Sequence, residues 1–410
     1  MTRADAAAQP VTLPPGMRLL RTADCGDPRR PAGRARLAAL LDGIAGLDRA
    51  QEERLSGLPA AVATGAERLA RWLTDTSYTR TGAVIVGPGG RPIAAGLALF
   101  SQLENLDFMD SEVIVDPRAA PQRAAAAVGA LEAFLTAARE RAGRTKDLRF
   151  TESGAVPASA FSELALPAVH RTGPVWWSPG LRGSGPSEPG GRAAGPAGPR
   201  DPAARAVRPG SGAGALGADA TTARMLALGY RLIQVERRSL LALAAVSAPE
   251  APAGLTARSW AGLPGDGDMA ALLELLTTFS ADVPAGDGSF EHEAVSADRL
   301  RNDLDVVRAQ GGERYWTALF DTAGRCTAAT AFAAGPRPVA QQEETVTARA
   351  HRGRGLAGTV KRLNAAHLRE RRPDVAWVQT YNACENDAML AINNAVGFEP
   401  VAFTGLWERS

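Results

Sequence analysis

The sequence predicts an α/β chain of two similar domains, each a mixed, twisted sheet flanked by helices. Three observations carry this. At 410 residues the chain exceeds what one ordinary hydrophobic core accommodates. The order strand, helix, helix, strands, helix runs through it twice. Each run ends on a short helix, a glycine, an aromatic residue and a strand: ARMLALGYRLIQVERRSLLAL at 223–243 and AMLAINNAVGFEPVAFTGLWE at 388–408.

In the first half, apolar alternation predicts a strand at 17–21, and helical periodicity predicts helices at 35–44 and 66–73. Strands at 81–86 and 92–100 form a hairpin around GPGG, a strand ends at 113–115, and an Ala-rich helix covers 122–141. A spacer follows at 182–220, dominated by Gly, Pro, Ala, Ser and Arg without apolar periodicity, and reads as disordered or a loose loop. Because the closing pattern resumes at 223, the spacer is an insertion of about 180–220 within the first domain, where added length costs little. The short break SAPEAPAG at 247–254 is then the boundary, giving domains at 14–250 and 251–410. The second half reads strand 255–260, helices 269–279 and 297–309, strands 314–320, 326–333 and 342–348, helix 356–371, strand 375–380, helix 386–396 and a last strand.

Hydrophobic residues at 45% and charged residues at 22% describe a globular chain. A net charge of only +2 supplies no global field toward nucleic acid or an anionic membrane, so neither is an expected partner. Of 46 basic residues only Lys146 and Lys361 are lysines, which with heavy Ala, Gly and Pro usage reads as the bias of a GC-rich, actinobacterial-type genome. Cys25, Cys326 and Cys384 form no CxxC pair and leave one over, so neither a disulfide framework nor a zinc site is expected. With no apolar run of 18 residues and no leader-like start, the expected location is the cytoplasm.

The chemistry concentrates in TVTARAHRGRGLAGTVKRLNAAHL at 345–368. A β-branched strand enters a turn rich in Arg and Gly, and a helix starts near Leu356 with no acidic residue in its first turn. Gly353 and Gly355 let backbone N–H groups face an anion, and the helix terminus adds positive potential. Arg352 and Arg354 supply charge-assisted hydrogen bonds to a diphosphate. The turn lacks both the GKS or GKT ending of a nucleotide-triphosphate loop and the GxGxxG of a dinucleotide site. The corresponding stretch of the first half, VIVDPRAAPQRAAAAVG at 113–129, has Pro121 and no glycine before its helix. The first domain is therefore read as degenerate, a scaffold without cofactor binding.

The spacing R-x-x-G-x-A (Arg352, Gly355, Ala357) resembles the diphosphate-binding motif of the Gcn5-related N-acetyltransferase (GNAT) superfamily, and NACENDAMLAINNAVGF at 382–398 is similar to that family's closing helix. The resemblance implies two central parallel strands that splay apart to admit acetyl-CoA. It places the diphosphate on Arg352, Gly353, Arg354, Gly355, Leu356 and Ala357, and the pantetheine arm along Val346, Thr347 and Ala348. Asn386 matches a cofactor contact and equally suits a helix cap. In the family a neutral amine attacks the thioester directly, so a positioned proton acceptor is needed. Glu343 and Glu344 are the candidates, on opposite faces by the two-residue strand period, while the usual base position holds Gln341. The family's Tyr acid, four residues before Gly-Phe, is Asn393 here. Its amide donates a hydrogen bond to a departing thiolate but no proton, which falls to water or to Tyr381, unless Tyr381 is a core aromatic. Asp282, Asp287, Glu291 and Glu293, in the loop at 280–298, suit a small cationic amine and equally suit a solvated acidic loop. The four histidines stand alone, so no metal is expected. The implied function is an N-acetyltransferase acting on a small cationic amine, with antibiotic tailoring or resistance as the expected setting; the alternative is a non-catalytic acyl-CoA sensor or scaffold.

Overall fold

The first half of the chain builds β1 (Arg18–Arg21), α1 (Pro31–Leu55), α2 (Gly65–Thr74), β2 (Tyr78–Val86), β3 (Pro92–Ser101), β4 (Phe108–Val115), α3 (Pro121–Arg141) and β5 (Lys146–Ser153). These positions come from a computed structural model that describes residues 13–55, 57–153, 206–217, 219–277 and 295–410. Helix α1 runs well past the expected residue 44, because its last turns, DRAQEERL, are strong helix formers that lack an apolar stripe. A capping box of Thr64 and Glu67 starts α2.

Strand β5 was not legible in the sequence because its alternate residues are charged and buried. Asp147 accepts from Ser111 Oγ at 2.5 Å and from Tyr230 Oη at 2.6 Å. Arg149 donates to Ser111 Oγ at 2.9 Å and pairs with Glu132. A network of this kind replaces much of the water that its charged groups give up on burial.

After the insertion come β6 (Ala206–Val207), β7 (Leu216–Gly217), α4 (Ala220–Ala227) and β8 (Arg231–Ala242). Residues 206–217, expected within a loose spacer, instead form the antiparallel β6–β7 pair and bury Ala215 and Leu216 against Val235, Phe403 and Trp407. Their Gly- and Ala-rich composition hides a packing role that only the partner strands reveal. The second half adds β9 (Thr256–Ala261), α5 (Asp266–Thr277), α6 (Ala297–Ala309), β10 (Glu313–Phe320), β11 (Cys326–Ala334), β12 (Val339–Thr347), α7 (Leu356–Arg371), β13 (Trp377–Ala383), α8 (Asp387–Val396) and β14 (Glu399–Arg409).

Among the described residues one sheet of twelve strands runs β1-β2-β3-β4-β5-β14-β8-β13-β12-β11-β10-β9. Its only parallel pairs are β4 with β5 and β12 with β13. The repeat implies that each half ends on its own last strand, but the two are exchanged. Strand β8 pairs with β13, and β14 pairs with β5 and with β8. The exchange covers both sheet edges that would otherwise meet at the centre, and it buries β8 on both faces through Leu232, Ile233, Val235, Leu240 and Leu241.

Helices α1 and α5 pack on one face, against Val84, Ala95 and Leu97 and against Trp316, Ala318 and Ala329 respectively. Helices α2 and α6 bind one another beside them, where Asn302 Nδ2 donates to Ser77 Oγ at 3.1 Å. Helices α3 and α7 cover the opposite face. No helix among the described residues is long and apolar enough to cross a membrane.

Candidate functional site

Parallel strands β12 and β13 stay paired only from Val339 with Trp377 to Gln341 with Gln379, and then part. The gap opens into a cleft of about 650 Å³. Thr345, Val346 and Thr347 form one wall, Thr380, Tyr381, Asn382 and Ala383 the other, and the turn before α7 forms the mouth. Gly353 and Gly355 hold φ of +74° and +75°, the left-handed region that a side chain resists, and so turn the chain directly into the N-terminus of α7. Arg352 Nε donates to the Thr347 carbonyl at 3.3 Å, and Arg354 Nη1 lies 2.9 Å from His351 Nδ1. Arg352, Gly353, Gly355, Leu356 and Ala357 all line the cleft. Asn386 does two things at once: its Oδ1 caps α8 by accepting from Met389 N at 3.1 Å, and its side chain lines the cleft.

At the closed end a β-bulge shifts the register, so that Thr330 opposes Thr345 while Phe332 opposes Gln342. The extra residue cancels the two-residue alternation. Glu343 and Glu344, expected on opposite faces, therefore both reach the Arg314 guanidinium, at 3.0 and 3.2 Å. Glu343 lines the cleft. Burial pushes its carboxyl up from the usual glutamate value, against the opposing pull of Arg314. Tyr381 lines the cleft as well; burial raises its phenol, and the Arg238 guanidinium lies 5.8 Å from its ring centre. Asn393 is fully buried, outside the residues that line the cleft, and donates to Asn382 Oδ1 at 2.6 Å. Gln341, the position where the family resemblance places the base, donates to the Gln342 carbonyl at 3.2 Å. Asp282, Asp287, Glu291 and Glu293 lie outside the described residues.

Among the cleft residues that escaped the sequence reading are Glu236, Gln342 and Lys361. Lys361, on the second turn of α7, is 1% exposed and donates to Gln342 Oε1 at 2.9 Å. Its signal was its rarity: where arginine fills almost every basic position, a lysine in the helix beside the turn is an anomaly.

No protein-family model and no curated protein sequence matches the chain. Solved structures do. A tandem GNAT protein from the clavulanic acid biosynthesis pathway, solved without acetyl-CoA, aligns over 96% of this chain and 98% of that chain, at 19% identity and a TM-score of 0.60. A GCN5-related N-acetyltransferase from Sphaerobacter thermophilus aligns over 97% of this chain and 96% of that one, at 15% identity and a TM-score of 0.56. The chain has the tandem GNAT fold.

In that tandem GNAT fold the first half repeats the splay. Strands β4 and β5 pair from Phe108 with Lys146 to Ser111 with Arg149 and then diverge. The larger opening, about 1240 Å³, reaches from α1 and α2 across β8 to β13. Carboxylates crowd it: Asp48 pairs with Arg68, Glu52 lies 2.8 Å from Arg238, and Glu152 lies 3.6 Å from Arg238. Burial first, and neighbouring carboxylates next, push Glu112 up to about 7; burial pushes Glu152 and Glu236 up to about 7. The turn before α3 differs from its counterpart. Asp116 accepts from Arg118 N and Nε at 3.0 and 3.1 Å and from Arg91 at 2.8 Å, so an internal anion already engages the local arginines, and α3 begins on Pro121.

Proposed function

We propose that the chain is an N-acetyltransferase that moves an acetyl group from acetyl-CoA to the amine of a small cationic molecule. The observation that carries this reading is the parting of β12 from β13 directly beside the Gly353–Gly355 turn, a slot with an anion cradle at its mouth. In it, Arg352, Gly353, Arg354, Gly355, Leu356 and Ala357 hold the diphosphate, Val346, Thr347 and Ala348 guide the pantetheine arm, and Asn386 touches the cofactor while capping α8. Glu343, fixed by Arg314, accepts the amine proton, with Glu344 sharing the guanidinium. Tyr381 returns a proton to the departing thiolate, and Asn393 orients Asn382 in the cleft wall.

The cationic acceptor is supported by the carboxylates Asp48, Glu112, Glu152 and Glu236, which line the larger cavity and give an ammonium there partners for ion pairs. Asp282, Asp287, Glu291 and Glu293 remain the acceptor candidates that the sequence offers, outside the described residues. The first domain, 14–250, serves as scaffold and acceptor chamber, because Asp116 already engages Arg118 of its turn and Arg91 beside it; the second, 251–410, binds the donor. Thiol release from acetyl-CoA with a panel of polyamines and aminoglycosides tests the reading: release with at least one supports it. The second reading, an acyl-CoA sensor, is favoured by two departures, the buried Asn393 where the family places its acid and Gln341 where it places its base. Tight acetyl-CoA binding with no release for any acceptor would establish it.

A further inference from the structure

Lys361 poses a physical problem. An ammonium 1% exposed has surrendered its hydration, and among the described residues no carboxylate pairs with it; its hydrogen-bond partner is the Gln342 amide oxygen. The Phe398 ring, 5.4 Å from Nζ, adds a weak cation–π contact. Gln342 is itself pinned, its Nε2 donating to Thr330 Oγ1 at 3.0 Å and to the Ala331 carbonyl at 2.9 Å. The pair is thus a rigid post next to Gln341, the last residue at which β12 and β13 remain joined, and both of its members line the donor cleft. A lysine bears three N–H donors, and one is spent on Gln342, leaving donors for the cleft that it lines.

A buried lysine without a counter-ion that lines a cleft is a candidate ligand contact. On the acyl-CoA reading, from which this inference starts, the arm passes Thr347 and Val346 and its thioester arrives at the closed end of the slot. We propose that Lys361 donates to the thioester carbonyl oxygen and so acts as a catalytic residue, stabilising the negative charge that grows there. As the amine lone pair forms the C–N bond, the carbonyl oxygen takes up electron density under the Lys361 N–H. That density returns as the C–S bond breaks, the sulfur leaves with the bonding pair, and the amine proton passes to a carboxylate and on to the thiolate. Burial, which lowers the ammonium to about 7, leaves both protonation states able to donate.

The test uses acetyl-CoA labelled with carbon-13 at the carbonyl and compares the unaltered chain with Lys361→Met and Lys361→Gln. In the unaltered chain, infrared difference spectra show the carbonyl stretch moved to lower wavenumber; Met abolishes the shift and Gln, which keeps an N–H donor, restores part of it. Calorimetry shows unacylated coenzyme A binding all three chains alike, while turnover of Lys361→Met falls about 100-fold. An unshifted carbonyl in the unaltered chain overturns the proposal. So does a preference of the unaltered chain for succinyl-CoA that Met removes, since Lys361 would then serve an acyl carboxylate. Failure of the unaltered chain to bind coenzyme A sinks the acyl-CoA reading as well, whereas binding with an unshifted carbonyl sinks only the role of Lys361.

Discussion

Glu236 on β8 and Tyr381 on β13 each border both the donor cleft and the larger cavity of the first half. Their strands pair so that Tyr381 faces Arg238 and Ala383 faces Glu236, a diagonal relationship across one face of the ladder. On the proposed function, an acceptor in the large cavity would meet the donor at these two side chains. Glu236→Gln is expected to raise the acceptor KM at least about tenfold while acetyl-CoA affinity stays unchanged, as for removal of one charged contact. Steady-state thiol release plus calorimetry checks this, and weakened donor binding with an intact acceptor KM would contradict it.

The bulge brings Glu343 and Glu344 together on Arg314, yet the two carboxylates are inequivalent, since only Glu343 lines the cleft. Glu343→Gln should lower kcat by about 10²-fold or more, the usual contribution of a proton acceptor, and Glu344→Gln far less. Equal losses in the two variants would assign both a structural role on Arg314.

Gly355 holds φ of +75° with no atom within 4 Å of an added Cβ, so substitution there costs strain without collision. Gly355→Val should cost about 1–3 kcal/mol in local backbone strain, deform the turn and abolish acetyl-CoA binding. Ala120→Asp, at the matching position before α3, should leave binding intact. Calorimetry giving the reverse would exchange the roles of the two halves.

Three carboxyls and one ammonium make folding sensitive to pH near neutrality. Burial raises Glu112, Glu152 and Glu236 to about 7, so between about 4.5 and 7 the folded chain holds protons that the unfolded chain has lost, and their contribution to stability, full below that window, fades as pH rises through it. Lys361 is lowered to about 7, so the folded chain releases its proton early, and stability from this group grows from about 7 to 10.5. Melting curves should therefore show Glu152→Gln gaining stability over the unaltered chain as pH rises from about 5 to 8, and Lys361→Met losing that advantage as pH rises from about 7 to 10. Parallel curves for variant and unaltered chain would refute the assignment.

Arg238, 2% exposed, pairs with Glu52 and contacts Gln379 at 3.0 Å. Arg238→Ala strands a buried carboxylate and should destabilise the fold by about 3–5 kcal/mol. Arg21→Ala, which breaks the exposed pair with Asp24, should cost about 1 kcal/mol or less. Denaturant unfolding of the two variants compares them directly.

The sequence disclosed what depends on local pattern. Helices α6 and α7 begin and end where periodicity places them, and the Arg and Gly turn stands beside the splay as its composition implies. What escaped depends on partners distant in sequence. Strand β5 went unread because its charges are held by Ser111, Tyr230 and Glu132, all distant in sequence. The bulge that sets Glu343 and Glu344 side by side on Arg314 breaks the alternation from which their faces were read. A repeated pattern reveals which elements exist, and nothing in it says which strand will lie against which.

Interleaving of β14 between β5 and β8 ties the order of synthesis to the order of assembly. The first half emerges from the ribosome with the central border of β5 still bare, and that border is covered only when residues 399–409 arrive. Proteolysis at 247–254 would accordingly release no pair of autonomous lobes; the nicked pieces should stay interlocked, each carrying the other's missing ribbon.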